Sequence, residues 1–120
     1  MMTKKIFGML VLLVLCSTGY AQSSKDFFDR ALIKYRLEDY AGAIQDYNEG
    51  IDFARINQYP SNKKSQANPL YDKTLAAAYL KRGLCKIKLK DKKGACIDIN
   101  KAADMGDRKA YKEKEKYCDK

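Results

Sequence analysis

The 120-residue sequence contains no histidine and no tryptophan. Without imidazole there can be no Ser-His-Asp or Cys-His nucleophile pair and no His-ligated metal site. Glycine-rich phosphate loops are missing too: Gly42, Gly50, Gly83 and Gly94 stand alone at helical or turn positions. No calcium loop of alternating aspartates occurs, and no two cysteines have CxxC spacing. Carboxylates fall mostly in turns or on polar helix faces beside Lys or Arg, as in Glu113 with Lys114 and Lys116. Paired catalytic carboxylates need convergent burial, which no spacing here suggests. The chain therefore reads as a non-catalytic protein with no cofactor and no metal.

What is present fits one domain. The length leaves no room for a second ordinary core. Hydrophobic residues make up 46% and charged residues 32%, which excludes both an acidic disordered tail and a polytopic membrane protein. Only one long apolar run exists, Ile6 to Leu15, preceded by Lys4 and Lys5 and followed by a small and polar stretch from Cys16 to Ser24. This layout predicts a secretory signal over residues 1–21, cleaved after Ala21. The run is about half of what spans a bilayer core. The alternative is a lipoprotein anchored through Cys16, for which Leu15 is a poor preceding residue. Either way the mature chain is expected to be exported, periplasmic or secreted.

Beyond the leader the chain repeats itself. Laying residues 26–51 over 78–103, an offset of 52, matches Arg30 with Arg82, Leu32 with Leu84, Lys34 with Lys86 and Leu37 with Leu89. Asp39, Gly42, Ala43, Asp46 and Asn48 likewise fall on Asp91, Gly94, Ala95, Asp98 and Asn100. Each copy carries two apolar stripes at three- and four-residue steps, the period of a helix. In the first copy these are Phe28, Ala31, Leu32 and Tyr35, then, after a turn at Glu38 and Asp39, Ala43, Ile44, Tyr47 and Ile51. In the second they are Tyr79, Leu80, Gly83, Leu84 and Ile87, then, past Lys90 and Asp91, Ala95, Cys96, Ile99, Ala102 and Ala103. The small residues Ala31, Gly83, Ala43 and Ala95 allow antiparallel helices to approach closely.

This pattern resembles the tetratricopeptide repeat, a family of 34-residue helix pairs. Tyr79, Gly83, Ala95, Ile99 and Ala102 match its motif in the second copy, and Phe27, Ala31, Ala43, Tyr47 and Gly50 in the first. Lys34 and Lys86 depart from it, standing where an aromatic is usual, and Gly106-Asp107 replaces the closing proline. The ending Lys101 to Asp107 also resembles the related sel-like repeats. The resemblance implies an all-α, right-handed helical-hairpin repeat array: repeat 1 over about 25–53, a loop insertion over 54–68, repeat 2 over about 70–105 and a capping helix over 108–118. Asn68-Pro69 looks like a helix start. Two repeats bury a modest core, which leaves the uncapped side of the first one open to dimerisation.

On this architecture the last two helices reverse around Gly106, with Cys96 ten residues before it and Cys118 twelve after. An antiparallel pair brings Cys96 and Cys118 to the same end, where a bridge would contribute roughly 3 kcal/mol. Cleavage leaves three cysteines, so one thiol remains over; Cys85 is expected in the core.

Residues 22–80 hold eight basic and eight acidic residues, residues 81–120 fourteen and seven. The net charge of +9 thus comes chiefly from the second copy and cap. The plain reading of this excess is a solvated surface; the sharper one is a face that attracts anions. The family binds partner segments on the concave side made by first helices. By position that side is Phe28, Asp29, Leu32, Tyr35 and Arg36, then Leu80, Lys81, Leu84, Ile87 and Lys88. These residues imply a groove for an unidentified protein or peptide of acidic character. The alternative is a basic peripheral protein contacting anionic lipid or polysaccharide of the envelope. Nucleic acid is not expected, because few aromatics interleave with the Lys run from Lys86 to Lys93.

Overall fold

A computed structural model describes residues 23–58 and 69–119. The expected leader, its Ala21 cleavage site, Cys16, the Asn68 cap and the 59–68 part of the loop lie outside the described residues. Five helices are present among the described residues: α1 (Ser24–Arg36), α2 (Tyr40–Gln58), α3 (Pro69–Lys88), α4 (Lys92–Asp104) and α5 (Arg108–Tyr117). No strand occurs among the described residues, so the chain is all-α there. None of the described helices is long and apolar enough to cross a membrane.

Local chemistry fixes where the helices start. Ser23 and Asp26 cap α1 reciprocally, each side chain accepting the other's backbone N–H. Asp39 Oδ1 accepts from Gly42 N at 3.0 Å, and Asp91 Oδ1 from Gly94 N at the same distance. Any side chain at Gly42 or Gly94 would run into those carboxylates. Asp107 accepts from Lys109 N and Ala110 N to start α5. The α1–α2 and α3–α4 reversals are copies of one turn. Glu38 and Lys90 sit in the left-handed region at φ 61° and 64°. The next amide in each reaches back to the carbonyl of Lys34 or Lys86 at 2.9 Å.

Two helical hairpins result, α1 with α2 and α3 with α4; α3 also packs on α2, and α5 packs on α4. Small residues sit where the helices touch. Ala31, Ala43 and Ala95 are wholly buried, and a Cβ at Gly83 would meet the Ala95 carbonyl and Ile99 at 3.0 Å. One core runs through the stack: Tyr47, Ile51 and Ala54 of α2, Leu75, Ala78, Tyr79, Leu80 and Cys85 of α3, Ile99 and Ala102 of α4, and Ala110 of α5. The expected boundary at residue 53 is too early. Tyr47, Ile51 and Ala54 continue one apolar stripe, Ala54 is fully buried, and α2 runs to Gln58.

The expectation that carboxylates lie in turns or on polar faces fails at two places. Asp46 and Asp98 are buried in the hairpin interfaces. Arg30 donates to both oxygens of Asp46 at 2.9 and 3.2 Å, and Lys34 adds a third contact at 2.9 Å. Fifty-two residues on, Arg82 grips Asp98 at 2.8 and 2.9 Å and Lys86 joins at 2.9 Å. The lysines that break the family motif are thus ligands of a buried carboxylate. Burial pushes the Asp46 carboxyl up, but the hydrogen bonds and charges of Arg30 and Lys34 overcome this and hold it below the usual range.

The two clusters differ in exposure. Arg82 and Lys86 are 17% and 22% exposed, against 46% and 35% for Arg30 and Lys34. Removing a carboxylate leaves its cations unpaired, which costs about 3–5 kcal/mol when they are buried and less as water reaches them. Asp98→Ala should therefore destabilise by about 3 kcal/mol and Asp46→Ala by about half that, read from urea midpoints at constant slope. A depressed folded-state pKa means that Asp46 stabilises fully above its ordinary value of 3.8 and ceases to as pH falls through the lower, folded-state value. Asp46→Ala should accordingly flatten the acid limb of the stability curve below pH ~4.

A second outcome concerns the turns. A non-glycine residue in the left-handed region costs roughly 1 kcal/mol. Lys90→Gly should recover part of it as a higher midpoint in thermal unfolding, whereas Lys90→Val should lower that midpoint.

Candidate binding groove

The first helices of the two hairpins approach each other at Tyr35. Lys81 of α3 places its ammonium 5.5 Å from the ring centroid of Tyr35 of α1, in cation–π geometry. Tyr35 is held by an edge contact with Tyr40 at 5.5 Å. Burial and the nearby Cys85 push its phenol up, while the charge of Lys88 pulls the other way. Tyr35, Lys81 and Lys88 thus share one neighbourhood, although 46 residues separate the first two in sequence.

Not every residue expected in the groove stays open. Phe28 packs on Tyr47 with ring centroids 6.1 Å apart and fills the space over Gly50, so it serves the α1–α2 interface. Leu80 is 4% exposed and belongs to the core. Leu84 and Ile87 are half-buried against that core. Leu32 is half-buried as well. Asp29 is exposed and engaged by Lys25 one turn away at 2.5 Å. Arg36 and Lys88 are exposed, with no ion-pair partner among the described residues. What remains accessible is a short strip of Leu32, Tyr35, Lys81 and Leu84 bordered by two unneutralised cations. Chemically it can receive an apolar side chain flanked by carboxylates.

A second hollow went unnoticed in the sequence. A cavity of about 510 Å³ is lined by Arg55, Tyr79, Arg82, Ile97, Asp98, Asn100, Lys101 and Asp104. Arg82 commands it, stacking 5.3 Å over the Tyr79 ring and donating to Asn48 Oδ1 at 2.9 Å besides holding Asp98. It therefore ties the second hairpin to the first. The joint duplication of Arg30, Lys34, Asp46 and Asn48 was the signal that could have exposed this network.

Cys96 and Cys118 stand at disulfide distance, their Cα atoms 5.7 Å apart and 22 residues apart in sequence. Cys118 caps the end of α5, so the bridge pins that helix to α4. Cys85 is the remaining described cysteine and is fully buried. Burial pushes its thiol up to about 11 against the opposing charge of Lys81. Among the described residues no cluster of His, Cys, Asp or Glu could hold a metal ion. Comparison with protein-family models, with curated proteins and with solved structures found no match to this chain.

The Cys85 environment predicts its reactivity. A thiol raised from 9.0 to about 11 carries roughly 100-fold less thiolate at neutral pH than a free one. Native protein treated with iodoacetamide at pH 8 should be alkylated at Cys85 at least about 100-fold more slowly than a model thiol. Denaturant should restore the ordinary rate, with both followed by peptide mass.

Proposed function

We propose that the mature chain is an exported, non-catalytic interaction module of the cell envelope, built as a tetratricopeptide-like array of two helical hairpins with α5 as its cap. It holds an acidic segment of a partner protein between α1 and α3. The observation that carries this reading is the pairing of Tyr35 with Lys81 beside two exposed cations, Arg36 and Lys88, that lack counter-ions among the described residues. Cations left unneutralised around a half-buried apolar strip favour a ligand supplying both carboxylates and an aliphatic or aromatic anchor. The duplicated hairpin supports the family-like arrangement, since one turn, one carboxylate clamp and one set of small contact residues occur twice.

Basic residues on α5 favour a second reading. Arg108, Lys109, Lys112 and Lys116 are all exposed on this one short helix. They would suit contact with anionic lipid or polysaccharide of the envelope without peptide selectivity.

Titration of the purified protein with fluorescent peptides ending in Asp, Glu and Leu, alongside phosphatidylglycerol vesicles, separates the two. The groove reading expects peptide binding in the micromolar range. Lys81→Glu with Lys88→Glu should weaken it at least about tenfold, and a salt-resistant remainder should depend on Leu32 and Leu84. Peptide affinity untouched by the lysine pair would refute the groove. Vesicle binding alone, lost by 0.5 M salt, would establish the envelope reading.

A further inference from the structure

The bridge between Cys96 and Cys118 joins two cysteines that keep part of their surface in water. Cys85, by contrast, is fully buried with its thiol pushed up to about 11, so it offers no competing nucleophile. The two bridged sulfurs are not equivalent. Cys96 lies one turn into α4, near the positive end of that helix, with Lys92 and Lys93 four and three residues before it. Cys118 closes α5 at its negative end, and Lys114 one turn back is offset by Glu115 and Asp119. A thiolate is better stabilised at Cys96. That makes Cys96 the better leaving group and Cys118 the sulfur open to attack.

The helix held by the bridge has little else to hold it. α5 is ten residues long, too short to be stable alone, and Ala110 is its one buried residue. Arg108, Lys112 and Lys116 follow one another at four-residue steps, so like charges meet along one face. The helix packs chiefly on α4. Its last residue, Tyr117, is half-buried against the shared core. Burial and Cys85 push the Tyr35 phenol up, and Tyr117 adds to that effect, which puts the two phenols in one neighbourhood. Lys116 holds its ammonium 4.9 Å from the centroid of the Tyr117 ring. The bridge thus keeps an aromatic ring and a cation beside the strip between α1 and α3.

We propose that the bridge between Cys96 and Cys118 is a thiol–disulfide exchange site for an external dithiol, and that opening it frees α5. A thiolate of the dithiol attacks Cys118 Sγ and forms a mixed disulfide, while the bridge breaks with its electron pair leaving on Cys96 Sγ. The second thiolate then closes the dithiol into its own disulfide and expels Cys118. Two electrons and two protons pass to the protein. Without the tether the end of α5 opens, Tyr117 and Lys116 leave the strip, and a ligand there loses one wall. That last step rests on the groove proposed between α1 and α3; exchange and release do not.

Treating the purified native full chain with dithiothreitol tests the exchange. The bridge should open at a rate within about tenfold of that in denaturant. Brief reaction with glutathione, quenched in acid, should place the glutathione on Cys118, as read by peptide mass. Amides of residues 112–118 should exchange hydrogen at least about tenfold faster in reduced protein and in Cys118→Ser, with α1 to α3 unchanged. Peptides ending in Asp, Glu and Leu should bind the reduced protein at least about threefold more weakly. A bridge that opens only in denaturant, glutathione on Cys96, or α5 amides as protected as before would each overturn the proposal. Equal peptide affinity in both redox states would overturn its link to the strip. Peptides that bind neither state would refute the groove, and the first three measurements would still decide the exchange site.

Discussion

A carboxylate withdrawn from water and gripped by two cations organises each hairpin. Asp46 and Asp98 have almost no accessible surface, and each is met by an arginine fork and a lysine from the facing helix. An ion pair in such a place adds little net stability over an apolar equivalent, but it is intolerant of error. The arginine and lysine lie four residues apart, one turn of helix, so both reach the carboxylate only in one alignment of the two helices. A hairpin sliding by one residue would strand a charge in the interface. The clusters therefore select the register, while Ala31, Gly83, Ala43 and Ala95 set how closely the helices approach.

The second cluster does more than the first. Through Asn48, Arg82 belongs to both hairpins, so the feature that aligns α3 with α4 also seats that pair on α2. Stacking then brings Lys81 over Tyr35 and joins two separate first helices into one face. The pairing of Tyr35 with Lys81 is a property of that joint, since neither hairpin alone holds both residues.

Much of the fold was legible because it rests on local and repeated signals. Apolar stripes at helical spacing, aspartates at the turns and the match at an offset of 52 placed the five described helices. The extent of α2 was less visible, since Ala54 reads as polar-loop sequence until its burial is known. Asp46 and Asp98 were hidden for a related reason. A charged residue ordinarily marks the solvent side, and only the simultaneous return of its partners in the second copy distinguishes these from surface aspartates. Among the residues expected to line a groove, sequence position did not reveal the depth of each side chain. Phe28 and Leu80 are occupied in packing because Gly50 leaves a hollow for one and the hairpin stack encloses the other. Tyr35, Lys81 and Lys88 came together as residue positions implied.

The tether between Cys96 and Cys118 closes a ring of chain that holds the end of α4, the Gly106 reversal and all of α5. A protease that nicks the backbone anywhere inside that ring severs a peptide bond without releasing a fragment. The cut piece stays attached through sulfur, next to the surface on which it was folded. Wherever reductants are scarce, a molecule tethered in this way can be scarred and remain whole.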